Sequence, residues 1–199
     1  MKKISDIHAI KIIFFITACY VGLWAIRIPT IKDQLQTDYI GVGYIMLSFA
    51  IGSIVAMIFA NSLILKTSTK TILTYTLIAE GCLWLPVPFI NELWIFMIFS
   101  FVFGMSYGAF EIACNVYASN LEVREKKSMM SGFHAFWSLG VLFGSLITSF
   151  FLEWNYSFIF NILLYVIILL PLSLYFVLCL EFQVQEKTQD SSKKNIFFI

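Results

Sequence analysis

The chain has 199 residues, of which 60% are hydrophobic, 18% aromatic and 13% charged, and its mean hydropathy is +0.86. Soluble domains carry about 25% charged residues, so the composition excludes an ordinary soluble fold and points to an integral membrane protein. A net charge of +1 gives no basis for a nucleic-acid partner.

The opening "MKKISDIHAIKIIFF" has basic residues ahead of an apolar stretch, as a signal peptide does. That stretch runs on for a full span with no small-residue cleavage site, so it is expected to remain as a first helix. A bilayer core takes about 20 apolar residues per helix. The chain divides into six such runs, near 10–29, 40–65, 71–90, 93–119, 130–152 and 157–180. The expected fold is therefore all-α, a polytopic membrane domain over residues 1–181 with six transmembrane helices. The tail 182–199, "FQVQEKTQDSSKKNIFFI", reads as a cytoplasmic linker followed by the onset of a seventh helix.

Orientation follows from the basic residues. With six spans, both termini and the second and fourth loops share one side. That side holds 11 of the 13 Lys and Arg residues, and only Arg27 and Lys32 fall on the other. Both termini are expected on the cytoplasmic side of the cytoplasmic (inner) membrane. The four cysteines, Cys19, Cys82, Cys114 and Cys179, lie far apart in apolar runs and form neither a metal spacing nor a disulfide framework. They are expected to face lipid or core.

Charged groups inside a span cost roughly 2.5–3.5 kcal/mol on insertion scales, so they face the bundle interior or a water-filled cavity. Glu111 lies 19 residues beyond Glu92, roughly 28 Å along a helix, in the cytoplasmic half of span four. Gly104, Gly108, Glu111 and Asn115 recur at spacings of 4, 3 and 4 and share one face. The glycines admit a neighbouring helix, and low dielectric disfavours the charged carboxylate, which makes Glu111 a candidate proton carrier. The competing reading is a protonated Glu that only bonds a neighbouring helix.

His134 shares a face of span five with Ser131, Ser138 and Ser145, while Gly140 and Gly144 form a small-xxx-small contact on the opposite face. If spans four and five form a hairpin, His134 and Glu111 sit at similar depth and pair as a relay or gate; a structural hydrogen bond is the alternative. Arg27, just before Pro29, either snorkels to the interface or faces the outer mouth of a cavity with Trp24 one turn below. Glu80, near the middle of span three, is a second buried carboxyl or pairs with Arg27 or a hydroxyl. Asn61 and Asn161 read as helix-packing groups, and Pro86, Pro88 and Pro171 as tolerated kinks. Trp84, Trp94 and Trp154 read as an outer aromatic belt. There is no P-loop, Gly-x-Ser-x-Gly, His-Glu-x-x-His or CxxC, so no enzyme, metal or cofactor is expected.

Residues 101–146, "FVFGMSYGAFEIACNVYASNLEVREKKSMMSGFHAFWSLGVLFGSL", resemble spans four and five of the fucose-permease-like branch of the major facilitator superfamily. The resemblance rests on Glu111, Ala113 and Asn115 as Glu-x-Ala-x-Asn, on the basic loop that follows, and on "GFHAFWSLG". "LWAIRIPTIKDQL", residues 23–35, also resembles the end of span one there. The loop between spans two and three departs from the superfamily's G-x-x-x-D-R-x-G-R-R: Asn61, Leu65 and Ser68 stand at its Gly, Asp and Gly positions.

The resemblance implies the N-terminal half of a twelve-helix fold, built as a 3+3 inverted repeat. It implies a proton-coupled symporter of a small polar solute such as a sugar, bound at the midplane, with Glu111 taking the proton. The expected partners are the solute, the proton, the lipid bilayer and a second six-helix half, as a separate chain or in a homodimer. Two other readings stand beside it: a truncated or split-gene remnant, favoured by the abrupt "NIFFI", and a six-helix scaffold, disfavoured by Glu80, Glu111 and His134.

Overall fold

A computed structural model describes residues 5–181, and the tail 182–199 lies outside them. Among the described residues there are six long helices: α1 (Asp6–Gln34), α2 (Tyr39–Lys66), α3 (Thr69–Trp84), α4 (Leu93–Glu125), α5 (Met130–Glu153) and α6 (Phe158–Cys179). Each is long and apolar enough to cross a membrane, α3 together with the turn that follows it as Thr69–Phe89. The six-span, all-α reading holds, with ends that shift for local reasons. Helix α1 continues through Pro29 to Gln34. Helix α4 runs to Glu125, where Lys126 at φ 52° supplies a left-handed cap.

Pro86 and Pro88 do not kink span three; they end it. Two prolines two residues apart remove successive backbone donors, so α3 stops at Trp84 and a 3-10 turn, Val87–Phe89, follows. Helix starts are set by side chains: Asp38 caps α2, Ser68 caps α3 and Ser157 caps α6. At α5 the cap comes from a distance, because the Glu122 carboxylate accepts the backbone N–H of Met129 and of Met130 (2.7 Å).

Consecutive helices are not the main neighbours. The two most extensive packings are α1 on α5 and α2 on α4, whereas α4 and α5 barely touch. Helices α3 and α6 pack on each other, α3 also on α4, and α6 also on α1. Exchanging α1 with α4, α2 with α5 and α3 with α6 maps every one of these pairs onto another. That is the contact pattern of two three-helix repeats, and an odd number of spans per repeat inverts one relative to the other.

Glycine spacing explains the two dominant pairs. A Cβ on Gly104 or Gly108 of α4 would collide with backbone of Phe49 or Ser53 of α2, and one on Gly52 would meet Phe101. In the equivalent pair, Gly140 and Gly144 of α5 sit on Phe15 and Cys19 of α1, and Gly22 sits on Val141 and Ser145. Backbones in direct contact gain dispersion that larger side chains would prevent, and this drives helix association where the surrounding solvent is itself apolar.

One end of the bundle is tied by polar contacts. Arg124, at the end of α4, pairs with buried Asp6 at the start of α1 (2.8 Å), and Asp6 also accepts the Glu181 N–H (3.0 Å). Lys70 of α3 donates to the Leu178 and Leu180 carbonyls at the end of α6 (2.8 and 2.7 Å). Lys66 is the last residue of α2. Lys70 thus caps carbonyls at the end of α6 that have no intrahelical partner.

Gly104→Ala is expected to destabilise the protein by about 1–3 kcal/mol through overpacking against α2. Gly43, whose Cβ would meet nothing, is the control. Gly43→Ala should be neutral or stabilising, since Ala gains up to about 1 kcal/mol in helix propensity. Denaturation of the detergent-solubilised protein reads both.

Candidate functional site

Helices α1 to α4 enclose a cavity of about 350 Å³. Its wall follows from helical spacing. Tyr20 and Trp24 lie four apart on α1, Glu80 and Trp84 four apart on α3, and Phe96, Ser100, Phe103 and Tyr107 recur at 4, 3 and 4 on α4. The rings brace one another. Trp84 stacks on Tyr20 at 6.0 Å and meets Trp24 and Phe103 edge-on at 6.2 and 5.6 Å. Such pairs add about 0.5–1.5 kcal/mol each beyond burial, so the wall is fixed before any ligand arrives.

Among the described residues Glu80 is the one carboxylic acid lining this cavity, and it is 4% exposed. Among the described residues the ion pairs join Lys32 to Asp33, and Arg124 to Asp6, Glu125 and Glu181. None reaches Glu80, so the pairing with Arg27 is not formed. Glu111 continues the cavity stripe of α4 one turn beyond Tyr107 and is half-buried. Tyr107 and Cys114 each lie within electrostatic reach of both Glu80 and Glu111. Asn115, a further turn along, has its side-chain oxygen buried with no hydrogen-bond partner. Trp24, Glu80, Glu111 and Asn115 thus fall along one interior strip.

The other two candidates lie elsewhere. His134 is exposed on α5, edge-on to Phe14 of α1 at 5.6 Å. The hairpin relay with Glu111 is not formed, because α5 packs on α1 and α4 on α2. Arg27 neither snorkels nor faces the cavity. It is 2% exposed, its Nε donates to the Asn161 side-chain oxygen at 3.1 Å, and its guanidinium stands over the Phe158 ring at 5.2 Å. Arg27 Nη2 and Asn161 Nδ2 have no partner.

Trp84 is the principal residue misplaced by sequence reasoning. It is not part of a surface belt but is 2% exposed at the centre of the aromatic wall, while Trp94 and Trp154 are exposed as expected. The i, i+4 spacing of Glu80 and Trp84, and the α4 stripe ending at Glu111, were the available signals.

The sequence model of the Major Facilitator Superfamily matches residues 12–196. The chain belongs to the Major Facilitator Superfamily. It is 29% identical over 145 residues to an uncharacterized MFS-type transporter of Yersinia pestis, covering 71% of this chain and 37% of that protein. It is 28% identical over 136 residues to an uncharacterized transporter of Sinorhizobium fredii, covering 66% and 35%. The chain thus spans little more than a third of the length of these curated relatives. No solved structure matches it significantly. As a superfamily member with six membrane-length helices it is a multi-pass membrane protein of a transporter family. Six membrane-length helices among the described residues are consistent with one six-helix domain of that superfamily.

Asn161→Leu removes the acceptor of Arg27 and should destabilise the protein by about 1–3 kcal/mol. Adding Arg27→Met should recover most of that loss, because an apolar pair leaves no buried charge. Thermal unfolding in detergent of the two variants checks this; a double variant no better than the single one contradicts it.

Proposed function

We propose that the chain acts as one six-helix half of a proton-coupled secondary transporter in the cytoplasmic membrane. Both termini lie on the cytoplasmic side, and the cargo is a small polar solute. The observation that carries this reading is the interior strip on which a ligand-sized cavity, the carboxyl of Glu80 and the carboxyl of Glu111 adjoin. Intramembrane acids are costly unless they serve a pathway, and both stand beside a cavity of the size that binds small molecules.

Alternating access requires two halves that rock about one site. A second six-helix half, on the same or another polypeptide, therefore completes the binding site, in keeping with relatives almost three times as long as their matched part. Glu111 carries the proton in this reading: it is half-buried one turn from the cavity and gains or loses its proton as the site turns from one side to the other. Asn115 supports it from the next turn. His134 and Arg27 hold helices together.

The test is uptake of radiolabelled solutes, hexoses and quaternary ammonium ions, in proteoliposomes holding the chain and a second half under an imposed pH gradient. Glu111→Gln should abolish accumulation driven by the gradient while leaving exchange of labelled for unlabelled solute. Full gradient-driven accumulation by Glu111→Gln removes the proposed role.

A further inference from the structure

We propose that the cavity between α1 and α4 is a site for a small organic monocation, a quaternary or protonated amine with a flat apolar body, rather than for a sugar. The inference rests on the transport reading only for its cargo; the binding chemistry stands on the cavity itself.

Three observations lead to this class of ligand. The wall is mainly aromatic, with Tyr20, Trp24, Trp84, Phe103 and Tyr107 among its rings. An aromatic face attracts a cation through its quadrupole, by about 2 kcal/mol or more when water is excluded, and Trp does so best. The carboxyl group in the wall is that of Glu80, and no cationic side chain among the described residues forms an ion pair with it. A buried carboxyl ionises only against a counter-charge, and a cationic ligand would bring one. The wall is also poor in hydrogen-bonding groups. Its polar side-chain groups are Glu80, Ser100, the two tyrosine hydroxyls and the indole N–H of Trp24 and Trp84, and the Tyr20 hydroxyl already points to the Tyr165 carbonyl at 3.4 Å.

A hexose carries several hydroxyls, and each one left unpaired on leaving water costs about 1–3 kcal/mol. This wall cannot repay that loss. A monocation asks for one negative group and several ring faces, which is what the wall offers. Another hollow among the described residues, about 430 Å³ between the ends of α5 and α6, is lined only by aliphatic and aromatic residues with no charged group. It has ring faces but no carboxyl to pair with a cation.

The experiment is equilibrium binding of tritiated benzyltrimethylammonium to the full chain in detergent, with neopentylbenzene as its neutral isostere and unlabelled D-glucose as competitors. Saturable binding is expected, displaced by neither competitor. Glu80→Gln should weaken it roughly tenfold or more, and Trp24→Leu roughly three- to tenfold. Trp154→Leu, on an exposed residue outside the cavity, should leave it unchanged. Unaltered helicity by circular dichroism shows that each variant is folded. No saturable binding to the unaltered chain, equal binding by a folded Glu80→Gln, or displacement by glucose each overturns the proposal. Binding and uptake fail separately: cation binding without flux keeps the ligand class and removes transport, whereas glucose flux without cation binding does the reverse.

Discussion

Direct backbone contact between helices, made possible by glycine, is the constraint on which the rest of this structure depends. In a lipid environment apolar side chains gain little by leaving the solvent. Helices therefore associate where their surfaces fit most closely. Gly104 and Gly108 on α4 meet the backbone of Phe49 and Ser53, and Gly140 and Gly144 on α5 that of Phe15 and Cys19, while Gly52 and Gly22 on the partner helices meet the backbone of Phe101 and of Val141 and Ser145. Because those partners are α2 and α1, the chain cannot settle into hairpins of consecutive helices. The repeat-swapped arrangement follows, and α3 and α6 take the remaining places against α4, α1 and each other.

The cavity is a consequence of the same constraint. The α2–α4 contact is made through one face of α4, carrying Gly104 and Gly108. The neighbouring stripe of Phe96, Ser100, Phe103 and Tyr107 is left to turn inward. Glu80 and Trp84 arrive from α3, which packs on α4, and Tyr20 and Trp24 from α1. Aromatic side chains of this size leave a hollow where four helices diverge, and their mutual edge-on and stacked contacts keep it from collapsing. Polar ties at the end bearing Asp6, Lys70, Arg124 and Glu181 hold α1, α3, α4 and α6 together, so the cavity is framed by elements fixed at that end.

Much of this was legible in the residues and some was not. Six apolar runs declared six helices, because length and hydropathy decide what crosses a bilayer. The glycine spacings on α4 and α5 declared close contacts, since only backbone approach explains them, but they did not name the partner helices. Adjacency in sequence suggested that α4 meets α5, and that led to the unformed pairing of His134 with Glu111. Arg27 and Trp84 were misread for a related reason. Both lie toward span ends, where snorkelling and belts are common, and only the packing of α6 on α1 and of Trp84 among Tyr20, Trp24 and Phe103 reveals them as interior. Glu80 was visible as a buried acid, while its lack of a cationic partner among the described residues required the positions of the neighbouring helices.

The most direct test of the account is cross-linking of paired cysteines in a cysteine-free background with a short bismaleimide. Phe15→Cys with Phe143→Cys probes α1 against α5, where the native rings lie 5.6 Å apart. Phe49→Cys with Tyr107→Cys probes α2 against α4, where they lie 5.5 Å apart. Efficient linking within single chains for both pairs is the predicted result. Failure of both pairs in a fully helical protein would contradict the swapped packing, and with it the cavity that depends on it.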